Sequence, residues 1–205
     1  MARRLRELTE DTIYHAMTRG NNKQTLFYCD KDFERYLDYA QTALTRRSVK
    51  IYCFVLMPNH VHFVLKNVKS AGLSKFMHLL QTSYGVYFNR KYGNCGHVFQ
   101  GRFQSRIVMD DIYLTYLSKY IHLNPVSAGL VKLPGEYRWS SYSDYLKSDK
   151  KTSFVDNTYL KSIFSDQFSR QDNAYAQFVE ERIIELGSDP KRSGVLTKLN
   201  NRYTI

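Results

Sequence analysis

Ile51-Tyr52-Cys53-Phe54-Val55-Leu56-Met57-Pro58-Asn59-His60-Val61-His62-Phe63-Val64-Leu65 is the stretch whose reading decides the fold. Two runs rich in β-branched and aromatic residues flank a Pro-Asn pair, the composition of two antiparallel strands joined by a hairpin turn. In the second strand the two-residue side-chain period sends His60 and His62 to one face and Val61, Phe63 and Leu65 to the other, where they pack. A histidine pair on one strand face is either a metal pair or two polar groups on a solvated sheet. Apolar flanking positions favour the first, because burying two imidazoles without partners is costly and neutral imidazole is a common metal donor. The spacing by itself is shared with unrelated zinc enzymes and phosphoesterases.

Upstream of the hairpin, Thr12 to Arg19 alternates loosely and stops at Gly20-Asn21-Asn22, which reads as a first strand and a polar loop. Asp30 or Asp32 can cap a helix in which Phe33, Tyr36, Leu37, Ala40 and Leu44 recur at helical spacing and which ends near Arg46-Arg47-Ser48. Downstream, after Gly72, residues Leu73, Phe76, Met77, Leu80, Tyr84 and Tyr87 mark a long second helix that runs out at Tyr92-Gly93-Asn94. His97 to Val108 reads as a loop entering a fourth strand that carries Arg102 and Arg106. Asp110 or Asp111 then caps a third helix continuing to Asn124-Pro125. The order strand, helix, strand, strand, helix, strand predicts an α+β fold, a ferredoxin-like split βαβ plait with helices on one face of an antiparallel sheet. The third helix is an addition to that plait. Residues 1–147 form the body on this reading, and 148–205 a linker and helical tail, with Lys147 to Thr152 charged and polar and a last helix from about Asp172 to Leu186.

The 205 residues suffice for one well-buried domain plus an appendage, and 17 Tyr and 12 Phe exclude a disordered chain. Thirty Lys and Arg against 19 Asp and Glu give a net charge of +11, which favours a polyanion, nucleic acid first, through counterion release. Tyrosines interleaved with the cations offer surfaces on which bases stack. Cys29, Cys53 and Cys95 are odd in number and lack paired metal spacing, which suits a reducing cytoplasm, with Cys53 in the core. No run approaches the ~20 apolar residues of a membrane helix, and Met1-Ala2-Arg3-Arg4-Leu5-Arg6 is not followed by a signal-peptide core. A soluble cytoplasmic protein without membrane partners is expected.

The segments Thr18-Arg19-Gly20-Asn21-Asn22, Met57-Pro58-Asn59-His60-Val61-His62 and Tyr120-Ile121-His122-Leu123-Asn124-Pro125-Val126 together resemble the single-tyrosine HUH transposases, and within them the bacterial REP-associated tyrosine transposases. Phe99-Gln100-Gly101-Arg102-Phe103 and Tyr137-Arg138-Trp139-Ser140-Ser141-Tyr142 also look like segments of that family, so the resemblance covers about residues 10 to 147. It implies a metal-dependent endonuclease and strand transferase acting on single-stranded or hairpin DNA, the repeated extragenic palindromes, through a 5′-phosphotyrosine intermediate. It also implies a cytoplasmic, nucleoid-associated protein, monomer or homodimer. Carried over residue by residue, it makes Tyr120 the nucleophile, His60 and His62 metal ligands, and Arg19 with Asn21 a DNA-contacting loop. The charge surplus, rather than the resemblance, makes Arg102 and Arg106 candidates for DNA phosphate contacts.

The third ligand stays open between two residues. Asn124 lies four positions after Tyr120, on the same helix face, but stands where many relatives carry the longer Gln; His122, two positions away, should point elsewhere. A His-His-amide site with open positions suits Mg²⁺ or Mn²⁺ more than a closed structural zinc site. Tyr113, Tyr116 and Tyr120 recur at a spacing that core aromatics also produce, and Arg102 and Arg106 are residues that an edge strand uses for solvation. A second reading keeps the fold as a non-cleaving DNA-binding regulator, which the intact His60, His62 and Tyr120 oppose. A third, a metal phosphohydrolase with water as nucleophile, leaves Tyr120 unexplained.

Overall fold

In the computed structural model, residues 8–45, 49–69, 71–146, 154–167 and 174–188 are described. The first strand, β1, spans Thr12–Arg19; helix α1 spans Asp30–Thr45; the hairpin supplies β2, Val49–Met57, and β3, His60–Asn67. Helix α2 covers Gly72–Tyr92 and β4 covers Gln104–Ile107, followed by α3 over Asp111–Ser127. Three further helices close the described chain: α4, Tyr142–Leu146; α5, Thr158–Gln167; and α6, Ala174–Ser188. The strands form one antiparallel sheet in the order β2-β3-β1-β4, the arrangement a split βαβ plait produces.

The hairpin is held by more than its turn. Pro58 and Asn59 link the strands, and the Pro58 carbonyl accepts the N–H groups of Leu26 (2.7 Å) and Phe27 (3.2 Å). Register then follows: Met57 faces His60 across the hairpin, and on the other side β3 pairs with β1 so that Met17 meets His62 and Arg19 meets His60. Alternation assigns each residue its face. Val61, Phe63 and Leu65 enter a core with Phe33 and Tyr36 of α1 and Phe76, Met77 and Leu80 of α2.

The opposite face is covered too. Val55, Met57 and Val64 pack against Leu114, Leu117 and Ile121 of α3, and this second core takes in Tyr145 of α4, Leu160 and Ile163 of α5, and Tyr175 and Val179 of α6. The two plait helices thus share one face, while α3 and the helices after it fill the other. The composition of β2 carries the cause: of its nine residues only Lys50 is exposed, and a strand buried on both faces needs an unbroken apolar run rather than alternation. Its outer edge is covered as well, by Trp139 to Ser141, where the Ser141 hydroxyl accepts the Phe54 N–H at 2.8 Å.

Local chemistry sets the helix ends. Asp32 sits in the first turn of α1 and its carboxylate reaches back to accept the N–H groups of Tyr28 (2.8 Å) and Cys29 (3.2 Å), the two residues before the helix, as the acidic residue of a capping box does. Asp110 caps α3 by accepting the Tyr113 N–H at 2.7 Å. Helix α3 continues through Pro125 to Ser127, past the stop expected from Asn124-Pro125. Proline's fixed φ suits a helix, and near the C-terminus its missing N–H breaks only one ladder bond. Helix α5 has no counterpart in the sequence reading, and the expected linker lies almost wholly outside the described residues.

Candidate active site

Four side chains from two elements meet at the hairpin end of the sheet. His60 and His62 project from β3 with ring centroids 5.0 Å apart and nearly perpendicular, and Tyr120 of α3 stands edge-on to His62 at 5.9 Å. Asn124, one turn beyond Tyr120, lies close enough to both Tyr120 and His60 to influence their ionisation. The i, i+4 spacing on α3 and the i, i+2 spacing on β3 are what bring the four together.

Electrostatics keep these groups neutral. Burial, with the nearby Arg19 charge, lowers the His60 pKa to about 4, against which the Asn124 hydrogen bond works. Burial, then His15 and His60, pushes His62 well below its ordinary value. Tyr120 is raised by burial, the hydrogen bond from Asn124 opposing the shift. At neutral pH the site therefore presents two uncharged imidazoles and an intact phenol.

Each imidazole has one nitrogen occupied by the protein. His60 Nδ1 lies 2.7 Å from Asn59 Oδ1, and His62 Nδ1 lies 2.9 Å from Nε2 of the buried His15. A cavity of about 590 Å³ opens beside the pair, lined by Arg19, His60, His62, Gln100, Arg102 and Gln104 among others. Its wall is two loops tied together: the Gln100 N–H donates to the Arg19 carbonyl at 2.9 Å and the Asn21 N–H to the Val98 carbonyl at 2.8 Å. Gly20 is required between them, since a Cβ there would stand 2.2 Å from the Gln24 carbonyl oxygen.

A family model described as "Transposase IS200 like" matches residues 9–124, from just before β1 to Asn124. The chain belongs to the IS200-like transposase family. Members are DNA transposases with a tyrosine nucleophile. Among solved structures, the fold is similar to that of a REP-associated tyrosine transposase bound to a REP hairpin, with 14% identity and a TM-score of 0.60 over 76% of this chain and 98% of that one. A transposase-like protein from Deinococcus radiodurans is 12% identical, with a TM-score of 0.41 over 57% of this chain and 93% of that one. A bacterial tRNA(His) guanylyltransferase-like protein in complex with GTP is 9% identical, with a TM-score of 0.38 over 60% and 70%. Neither of these two bears on function. No curated protein matches the sequence.

Within this IS200-like transposase the sequence-derived residues divide. Arg19 and Arg102 line the cavity beside the histidines. Asn21 is exposed outside that lining, its backbone engaged with the second loop, and Arg106 pairs with His15 across β1 and β4. His122 turns away from the transposase site: it is fully buried, with Nδ1 2.7 Å from the Tyr175 hydroxyl and Nε2 2.9 Å from the Ser141 hydroxyl. With both nitrogens engaged, and burial lowering its pKa to about 3, it is no ligand candidate. Among the described residues no group of three or more His, Cys, Asp or Glu is placed to hold a metal; the donor nearest the histidine pair in the sequence-derived set is the neutral Asn124 amide. Two neutral imidazoles, each with one nitrogen left over, and an adjacent amide fit a divalent cation. Sequence reasoning missed Asn59 and His15. Asn59 sits next to His60 in sequence and was legible as a turn residue only; His15 becomes visible as a neighbour of His62 once the β1–β3 register is fixed.

Proposed function

We propose that this protein is a metal-dependent single-stranded DNA endonuclease and strand transferase of the REP-associated type, acting on hairpin-forming palindromic DNA. The observation that carries the reading is the convergence of Tyr120 and Asn124 from α3 with His60 and His62 from β3. His60, His62 and the Asn124 amide oxygen would hold Mg²⁺ or Mn²⁺, which when bound would supply Lewis-acid polarisation of the scissile phosphate and offset its developing charge.

The tyrosine does the covalent work. Its hydroxyl, with an ordinary pKa of about 10 and raised further here by burial, is a poor nucleophile by itself. Asn124, donating to the phenol oxygen, favours the phenolate that forms as the proton leaves. Attack of Tyr120 Oη on phosphorus forms a 5′-phosphotyrosine bond, breaks the P–O3′ bond and releases a 3′-hydroxyl, which takes up a proton. Exchange conserves the phosphodiester, so a second 3′-hydroxyl reverses the step. Arg19 and Arg102, on the cavity wall, bind the backbone phosphates. Asn21 and Arg106 extend that contact surface beyond the cavity.

Support for a hairpin substrate comes from the related REP-associated transposase, which was solved bound to a REP hairpin. In the division of labour we propose, residues 1–147 carry catalysis and 148–205 form a linker and helical tail. The test is a denaturing gel of full-length protein mixed with labelled single-stranded oligonucleotide and Mn²⁺. Wild type is expected to give a covalent protein–DNA band and Tyr120→Phe none; adduct at the wild-type level in Tyr120→Phe removes the nucleophile assignment.

A further inference from the structure

His15 contributes nothing to the chemistry just described, and it does not line the cavity. It is nevertheless one of the few polar side chains sealed in the core, 6% exposed, with its Nε2 2.9 Å from Nδ1 of His62, itself 5% exposed. Alternation along β1 and the pairing of His15 with Val64 put it on the His62 face of the sheet, and the two rings stack at 5.1 Å with 23° between planes.

We propose that His15 is a positioning residue whose Nε2 accepts the Nδ1–H of His62, fixing the His62 tautomer and leaving its Nε2 lone pair free to bind a divalent cation. The inference rests on the metal reading given above. A neutral pair has one proton in the shared bond, so there are two arrangements. If His62 donates from Nδ1, its Nε2 carries a lone pair and is a ligand; if His15 donates from Nε2, the His62 proton sits on Nε2 and the ring cannot bind a metal. His60 indicates which arrangement the site uses. Asn59 Nδ2 donates to the Lys23 carbonyl at 3.2 Å, so the atom facing His60 Nδ1 is the amide oxygen Oδ1, which only accepts. His60 must donate from Nδ1 and keeps Nε2 free. The same orientation in His62 makes both imidazoles present the same nitrogen, with a separate buried acceptor behind each. Arg106 stands across from His15 on β4, on the same face of the sheet.

Three measurements on the full-length chain test this. In metal-free wild type, two-bond ¹H–¹⁵N correlation of the imidazole nitrogens reads the tautomer directly; Nδ1–H on His62 is expected, and Nε2–H overturns the inference. Titration of free Mn²⁺ by electron paramagnetic resonance then compares His15→Phe, which removes the acceptor, with His15→Gln, whose Oε1 replaces Nε2. Loss of an outer-sphere partner of a ligating histidine weakens binding roughly 10- to 100-fold, so His15→Phe should fall in that range and His15→Gln should recover most of it. Equal affinity in wild type and a folded His15→Phe, or equal loss in both variants, refutes the positioning role. A wild-type chain that shows the Nδ1–H tautomer but binds no Mn²⁺ sinks the metal reading instead, so the two failures are distinguishable.

Discussion

Replacing Asp32 by Asn is expected to cost about 2–3 kcal/mol of stability, the range for hydrogen bonds to a charged group. Asp32 is fully buried, and its oxygens receive hydrogen bonds from Lys91 Nζ (2.5 Å), Tyr92 Oη (2.6 Å), Tyr87 Oη (2.9 Å) and the backbone N–H groups of Tyr28 and Cys29. Burial by itself would raise its pKa; the hydrogen bonds from Lys91, Tyr92, Tyr28 and Tyr87 outweigh that and hold it down, from 3.8 to about 2. At about 1.4 kcal/mol per unit, that difference favours the folded carboxylate by roughly 2 kcal/mol. Because the folded pKa is the lower one, this contribution is fully present above pH 4 and disappears as the pH falls through about 2. Asparagine retains the volume but has one acceptor oxygen, and its NH₂ faces donors. Urea denaturation of both proteins from pH 7 down to pH 3 is the assay. The gap should be widest at neutral pH and narrow below pH 4; a gap under about 1 kcal/mol at pH 7, or one that does not change with pH, refutes the reasoning. The damage should reach the active site, since Tyr28 and Cys29 follow the two residues whose N–H groups hold the Pro58 carbonyl, one residue before Asn59 and His60.

Three further outcomes follow from the same geometry. His60→Ala and His62→Ala should each abolish cleavage while leaving gel-shift affinity for DNA largely intact, because binding is spread over cations and stacked aromatics; parallel loss of both would point to a folding role for the metal. A hairpin with a single-stranded flank should be cut in preference to perfect duplex, because an unpaired flank bends to the tyrosine without melting base pairs, and equal cutting of duplex would remove that expectation. Tyr175→Phe should cost about 1–3 kcal/mol in thermal or chemical unfolding, because the lost hydroxyl leaves Nδ1 of the buried His122 without its partner; a neutral result would show that the contact between α6 and α3 is held by packing alone.

Much of this was readable from residues. Thr12 to Arg19 has the span of β1, and the Pro-Asn pair stands where the hairpin turns. The fold class was legible because three strands carry period-two or continuous apolar runs and both plait helices carry long apolar spacings. Two-sided burial of the sheet was also written there, in the unbroken Ile51 to Met57 run, but such a run names no partner, and its partners come from as far away as α6. Helix α5 escaped notice because Leu160, Ile163 and Phe164 make only one short apolar stripe beside a polar segment. Tyr120 and Asn124 were legible as one helix face. The contact of His15 with His62 was not, since it depends on the pairing of β1 with β3, 47 residues apart, and no local pattern encodes that register.

The candidate site holds a single tyrosine, Tyr120, and on the proposed mechanism that sets the arithmetic of the reaction. Under the proposed mechanism one Tyr120 holds one 5′ end at a time, so releasing a DNA segment bounded by two cuts would take two protein molecules or two consecutive turnovers of one. Tyr120 stands beside His62 of its own chain, and on the proposed reading a single nick uses residues of that chain. Chains disabled at Tyr120 and chains disabled at His62, mixed together, should therefore restore no cutting, and nicking by wild type should rise in simple proportion to protein concentration while paired excision rises more steeply.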